Sequence, residues 1–141
     1  MADIVVVVAE VRKGTDGTLN RGITATGVTI TAGAALYRLA DDTIGLADAD
    51  STVITSTCIG FATHGSLAGQ VIEFQNGGSI TLGATAAMTT GESYYTSDAP
   101  GFIRPAGDID SGDWITFLGV ASSAGVLKMP GTGVFNSLIQ K

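Results

Sequence analysis

The strongest constraint on this chain is that one ordered set of landmarks occurs in it twice. The first copy runs Thr31-Ala32-Gly33, Tyr37, Ile44-Gly45-Leu46-Ala47, Asp50, Ile59-Gly60-Phe61-Ala62 and Gly69-Gln70-Val71-Ile72, and ends at Asn76-Gly77. The second runs Thr89-Thr90-Gly91, Tyr95, Gly101-Phe102-Ile103-Arg104, Asp108, Leu118-Gly119-Val120-Ala121 and Gly125-Val126-Leu127, and ends at Pro130-Gly131. The offset is 58 residues for Gly33/Gly91, Tyr37/Tyr95 and Asp50/Asp108, 59 for Gly60/Gly119 and 56 for Gly69/Gly125. A period in this range points to duplication of one supersecondary unit. Two copies are too few for an elongated solenoid, which usually needs about three or more. They are expected to pair around a pseudo-two-fold axis in one compact body.

The repeated unit reads as β structure. The 20 glycines are spread along the chain, and each costs a helix about 1 kcal/mol relative to alanine. Thr and Val are frequent, and both suit pleated, half-buried positions. Turn signals recur at Asp16-Gly17, Asp41-Asp42, Asn76-Gly77-Gly78, Pro100-Gly101 and Pro130-Gly131, the pattern of a sandwich or barrel of short strands. Strands are predicted over Ile4–Arg12, Gly22–Ile30, Ala35–Leu39, Ile44–Ala47, Cys58–Ala62, Gln70–Gln75, Ser79–Leu82, Ser93–Thr96, Phe102–Arg104, Ile115–Ala121 and Val126–Met129. Ala84–Met88 or Asp50–Thr55 has room for a short helical turn. Alternation in Val71–Gln75 sends Ile72 and Phe74 inward and Glu73 and Gln75 outward.

The expected fold class is therefore all-β: a compact barrel or sandwich of short antiparallel strands built from two pseudo-symmetric repeats. Residues 1–21 form an N-terminal arm or edge strand. Residues 22–131 form the β domain, duplicated over about 27–78 and 83–131, and residues 132–141 form a C-terminal arm.

Composition narrows the function classes. Hydrophobic residues make up 45% and charged residues 14%, which argues against intrinsic disorder and fits a subunit that hides surface in an assembly. Thirteen acidic residues against seven basic ones leave a net charge of −6. A nucleic-acid binder shows a basic patch or stripe, whereas the basic residues here are scattered, so no nucleic acid is expected as a partner. The run Ile4-Val5-Val6-Val7-Val8 is far shorter than the roughly 20 apolar residues of a membrane span, and it lacks the basic start of a signal peptide. A soluble chain made in the cytoplasm, with no membrane partner, is expected. Left unpaired, such a β-branched run would aggregate, so it must pair in its own sheet or with a neighbouring chain. Cys58 is the single cysteine. It reads as a small buried hydrophobe in a chain suited to a reducing compartment.

Catalytic chemistry finds no foothold in the residue inventory. His64 is the only histidine, in a loop, and no Gly-x-Ser-x-Gly elbow accompanies it. One His and one Cys are too few for a metal site built on those ligands. Asp48-Ala49-Asp50 starts like a calcium loop but lacks the glycine and glutamate that complete one; Asp41, Asp42, Asp108, Asp110 and Asp113 read as turn formers. Nothing pairs Glu10, Glu73 and Glu92 as glycosidase carboxylates, and phosphate-binding glycine loops are absent. What the two copies share is Gly, Tyr, Ala and apolar residues, which serve backbone geometry and packing. The sequence points to a non-enzymatic protein with no cofactor and no metal.

The motif apolar-Gly-apolar-Ala (Ile59-Gly60-Phe61-Ala62 and Leu118-Gly119-Val120-Ala121), followed by a Gly turn and a strand, resembles the small capsid cement or decoration proteins of tailed bacteriophages. The resemblance covers roughly residues 22–131. The stretch from Thr90-Gly91-Glu92-Ser93-Tyr94-Tyr95 to Val120-Ala121 also resembles repeats of phage tail fibres. The first resemblance implies a β-rich, head-stabilising structural protein of the virion, often a homotrimer, on the outer capsid surface. It would clamp neighbouring major capsid protein subunits against internal pressure. Candidate interface residues are Ile4, Val5, Val6, Val7 and Val8 at one end and Val134, Phe135, Leu138 and Ile139 at the other, which otherwise read as edge strands of the same domain. The alternative is a tail fibre or baseplate receptor-binding module, with Trp114, Tyr94 or Tyr95 as stacking platforms for a host glycan.

Overall fold

The computed structural model describes residues 3–14, 16–49, 57–83, 86–105, 107, 109 and 111–129, and the backbone alone of 137–140. Twelve strands form among them: β1 Arg12–Lys13, β2 Thr18–Thr24, β3 Ala35–Arg38, β4 Thr43–Leu46, β5 Gly60–Ala62, β6 Val71–Asn76, β7 Gly78–Thr81, β8 Ser93–Thr96, β9 Ile103–Pro105, β10 Trp114–Ser123, β11 Val126–Met129 and β12 Ser137–Gln140. Among the described residues, a 3-10 turn forms at Val8–Glu10. The all-β expectation holds, and the architecture is a barrel beside an open sheet.

Strands β2-β4-β3-β5-β6 close into the barrel, and β1-β7-β11-β10-β8-β9 form the sheet, with β12 paired to β10. The sheet is antiparallel throughout, whereas the barrel closes on one parallel pair, β2 with β4. The same pairing order runs through both halves. In the barrel it is β2-β6-β5-β3-β4; in the sheet it is β7-β11-β10-β8-β9. Registers correspond as well. Leu36 lies opposite Gly60 as Tyr94 lies opposite Gly119, and Ala62 lies opposite Phe74 as Ala121 lies opposite Leu127. The glycine of each apolar-Gly-apolar-Ala motif has a common physical reason. A Cβ on Gly60 would stand 2.5 Å from the Gln75 carbonyl oxygen, and one on Gly119 would stand 2.5 Å from that of Lys128. Each glycine thus lets its strand approach the next backbone closely.

Alternation along β3 and β5 builds two cores. Leu36 and Ala62 point into the barrel with Ile30, Ile44, Ile72 and Phe74. Ala35 and Phe61 point the other way, into a larger cluster with Ile80, Leu118 and Leu127 of the sheet. Backbone bonds stitch the halves at the same place. Ala35 N–H donates to Gly101 O (2.9 Å), Gly101 N–H to Ala47 O (2.8 Å) and Ala49 N–H to Ser97 O (2.9 Å).

Several sequence-based expectations change. Ile4–Arg12 is not one strand: Ile4–Val7 forms single hydrogen bonds, the 3-10 turn follows, and only Arg12–Lys13 joins a ladder. Its two bonded amides reach one acceptor each, Ile103 O of β9 and Leu82 O just past β7. The strand expected over Gly22–Ile30 instead starts at Thr18 and stops at Thr24. Val28 N–H turns back onto Ala25 O, and Ile30 returns only as an isolated bridge to Ser66. The turn signal Asn76-Gly77-Gly78 falls between β6 and β7. With φ of 76° and 67° at the two glycines, it carries the chain out of the barrel and into the sheet. The possible helical turn at Asp50–Thr55, together with residues 84 and 85 of the other, lies outside the described residues.

Gln75 departs most instructively from its expected outward position. It is fully buried, because its side chain replaces solvent with three backbone partners. Its Oε1 accepts from Gly14 N–H (2.9 Å), and its Nε2 donates to Gly77 O and Ser79 O (both 2.9 Å). One amide therefore pins the N-terminal loop, the crossover and β7 together. Gln75→Ala strands these buried groups, and it is expected to lower unfolding free energy by about 3 kcal/mol, read from the urea midpoint at constant m.

Candidate functional site

An apolar cleft lies where the N-terminal segment passes the junction of the two halves. It has a volume of about 300 Å³ and is walled by Ile4–Val6 and Val8, Thr29 with Thr31–Ala34, Leu46 and Pro100–Phe102. A second hollow of about 310 Å³, lined in part by Val28, Tyr37 and Leu39, shares Thr29, Leu46 and Pro100 with the first. No charged side chain lines either one among the described residues. Val5, Val8 and Phe102 stand at the first cleft with 68%, 52% and 47% of their surface exposed. The outer face of the barrel carries a separate apolar patch. Ile23 and Val71 face each other across β2 and β6, and both are exposed, as is Leu67.

The residues expected at the interface are distributed unevenly. Ile4 is buried in the shared core, Val6 and Val7 are half-buried, and Val5 and Val8 face solvent. In the C-terminal segment, Leu138 and Ile139 belong to β12, where Ile139 lies opposite Ile115 of β10. Val134 and Phe135 lie outside the described residues. Phe102, Ile23 and Val71 were not anticipated, since their strands alternate no differently from those with both faces covered. Of the proposed aromatic platforms, Tyr94 is buried and its hydroxyl accepts from Thr89 N–H at 2.8 Å. Tyr95 packs edge-on against Phe117 with ring centroids 5.8 Å apart, and Trp114 is half-buried.

Several titratable groups are engaged in local structure. His64 shares its ring with the backbone on both sides: Nε2 accepts from Glu73 N–H (3.1 Å), while Nδ1 lies 2.7 Å from Gly65 O and donates to it in that tautomer. Cys58 is fully buried, and burial pushes its thiol up to about 12, which keeps it in the unreactive protonated form. Asp41 accepts from the Thr43 hydroxyl (2.6 Å) and from Thr43 N–H (3.1 Å) at the β3–β4 turn, and these bonds hold its carboxyl below the usual value. Asp113 pairs with the buried Arg104, which also meets Asp98 at 3.3 Å. No group of three or more potential metal ligands occurs among the described residues; Asp50, Asp108 and Asp110 lie outside them. No helix among the described residues is long and apolar enough to cross a membrane.

Glu73 carries the clearest electrostatic signature. The Thr63 hydroxyl donates to its Oε1 at 3.0 Å, Lys13 Nζ lies 3.6 Å away and Arg21 3.9 Å away. The hydroxyl bond first, and the two cations after it, hold its carboxyl below the ordinary glutamate value of 4.5. A folded-state value below the unfolded one gives stability that is present above the unfolded value and is lost as pH falls through the folded one. Glu73→Gln is expected to flatten the decline in melting temperature below pH 4.5, measured by thermal scans against pH.

Comparison with known proteins adds no relative to this description: no family model, curated protein or solved structure matches the chain.

Proposed function

We propose that this protein is a structural component of a bacteriophage virion that binds the outer capsid surface and stabilises the lattice by bridging major capsid protein subunits. The observation that carries this reading is the uncharged cleft with Val5, Val8 and Phe102 exposed at it, on a chain whose net charge is −6. Contiguous exposed apolar surface marks sites of protein association. The separate patch at Ile23, Leu67 and Val71 supplies a second contact face, which a bridging protein needs. Burial of these side chains at about 25 cal/mol per Å² is the driving force, and no chemical step is required.

In this reading the two halves are copies of one duplicated unit related by a pseudo-two-fold axis, and their matching strand orders and registers support that. A homotrimer placed at a local three-fold position of the lattice multiplies weak contacts through effective concentration. The protein is made in the host cytoplasm and ends on the outside of the head.

The test uses capsids stripped of the protein. The purified chain is expected to bind them saturably and to raise their melting temperature. Val5→Asp combined with Phe102→Asp should weaken binding at least tenfold. The melting temperature of the free protein should stay nearly unchanged, because exposed substitutions typically cost within about 0.5 kcal/mol. Binding to host cells in place of capsids, or full capsid affinity in the double variant, would count against the proposal.

A further inference from the structure

The two halves share a strand order but close differently. In the barrel, β2 and β4 meet directly, and Ala25 N–H donates to Ile44 O at 2.9 Å. The register equivalent of Ile44 in the sheet is Ile103, because Arg38 lies opposite Ile44 as Thr96 lies opposite Ile103. Among the described residues, the Ile103 carbonyl receives no amide from the β7 end of the sheet. It accepts from Ile4 N–H at 2.9 Å instead, while Val7 N–H donates to Leu82 O, just past β7, at 2.9 Å. We infer that the gap between β7 and β9 is a strand-binding seam, and that the N-terminal residues Ile4–Val7 are the strand it holds, closing the sheet into a second barrel.

The topology permits this closure. Four antiparallel pairings separate β7 from β9, so the two run parallel, as β2 and β4 do. Strand β1, which follows the N-terminal segment, is antiparallel to β7. A segment entering between two parallel strands and running against both is the arrangement an antiparallel ladder accepts. It also removes the exposed edges that an open sheet would present.

The seam is shaped for this occupant. Gly33 and Gly83 both have positive φ, 84° and 104°. A Cβ on Gly33 would stand 2.5 Å from Val6 Cγ1, and one on Gly83 would stand 2.5 Å from Val7 Cβ. Two bare glycines therefore make room for two valines. Ile4 is buried in the shared core beside Val11 and Leu82. A fourth fastening lies at the end of the segment, where the buried Ser97 hydroxyl donates to Asp3 Oδ1 at 2.6 Å. The segment is thus held by its side chains and by its backbone, and only Val5 and Val8 are left as its outward face.

Amide hydrogen exchange on the intact chain tests this directly. Ile4 and Val7 are expected to exchange at least tenfold more slowly than in a free peptide of the same sequence. Gly83→Ala should abolish that protection. Gly91→Ala should leave it intact, since Gly91 also has positive φ, 86°, but has open space where a Cβ would sit. If Gly83→Ala fails to fold, Val7→Pro is the second variant: it deletes the donor to Leu82 O together with the valine side chain at Gly83, and Val7 has φ of −88°, close to what proline adopts. It too should free Ile4. Exchange of Ile4 and Val7 at peptide rates in the native chain would overturn the inference. So would full Ile4 protection in both the Gly83→Ala and Val7→Pro chains.

Discussion

Strands β3 and β5 are covered on both faces, and the rest of the molecule is arranged around that fact. Leu36 and Ala62 fill the barrel, while Ala35 and Phe61 on the opposite faces fill the core shared with the sheet. A strand with one wet face could belong to a barrel that stands alone. These strands cannot, because removing the sheet would expose Phe61, Ala35 and the neighbouring Cys58 to water. Burying a phenylalanine side chain is worth about 1.5–3 kcal/mol, so the halves are bound by the hydrophobic effect before any polar contact is counted. The backbone bonds from Ala35, Ala47 and Ala49 to the β8–β9 region then fix their relative position.

Polar groups at the junction follow the same logic. A buried amide or carboxylate survives only where its hydrogen-bonding capacity is met. Gln75 meets it with backbone from three segments, and the buried Arg104 guanidinium pairs with Asp98 and Asp113. Gln75 lies at the crossover from barrel to sheet, where its three bonds fix the relative geometry of the segments that meet there. The surface beyond the junction has a different character. The cleft beside Ile4–Val8 and the Ile23–Val71 pair expose apolar side chains without a charge at the cleft walls. Adhesion to another protein is the work proposed for that surface.

Much of the fold was legible because the landmarks are positions where backbone geometry leaves little choice. Gly60 and Gly119 were readable as a recurring motif, and each proves to sit against a neighbouring carbonyl. Ile72 and Phe74 followed from alternation and are buried as expected. Gln75 did not follow, since its partners Gly14 and Ser79 come from other elements and no local pattern encodes them. Tyr94 was misplaced for a similar reason: its hydroxyl finds an N–H at Thr89, which lets a polar-tipped ring enter the core. The N-terminal valines were readable as a run that must be paired. Which surface pairs them was not readable, although Gly33 and Gly83 carry the complementary signal. The exposed positions Phe102, Ile23 and Val71 left no trace in the sequence, because exposure depends on which faces the two halves cover.

If one shared core unites barrel and sheet, they cannot unfold separately. The direct measurement is equilibrium urea unfolding followed by Trp114 fluorescence, which reports on the sheet, and by hydrogen exchange of the Leu36 and Phe74 amides, which reports on the barrel. Coincident transitions with one midpoint are the expected result. A barrel that keeps its protection after Trp114 has unfolded would contradict the account.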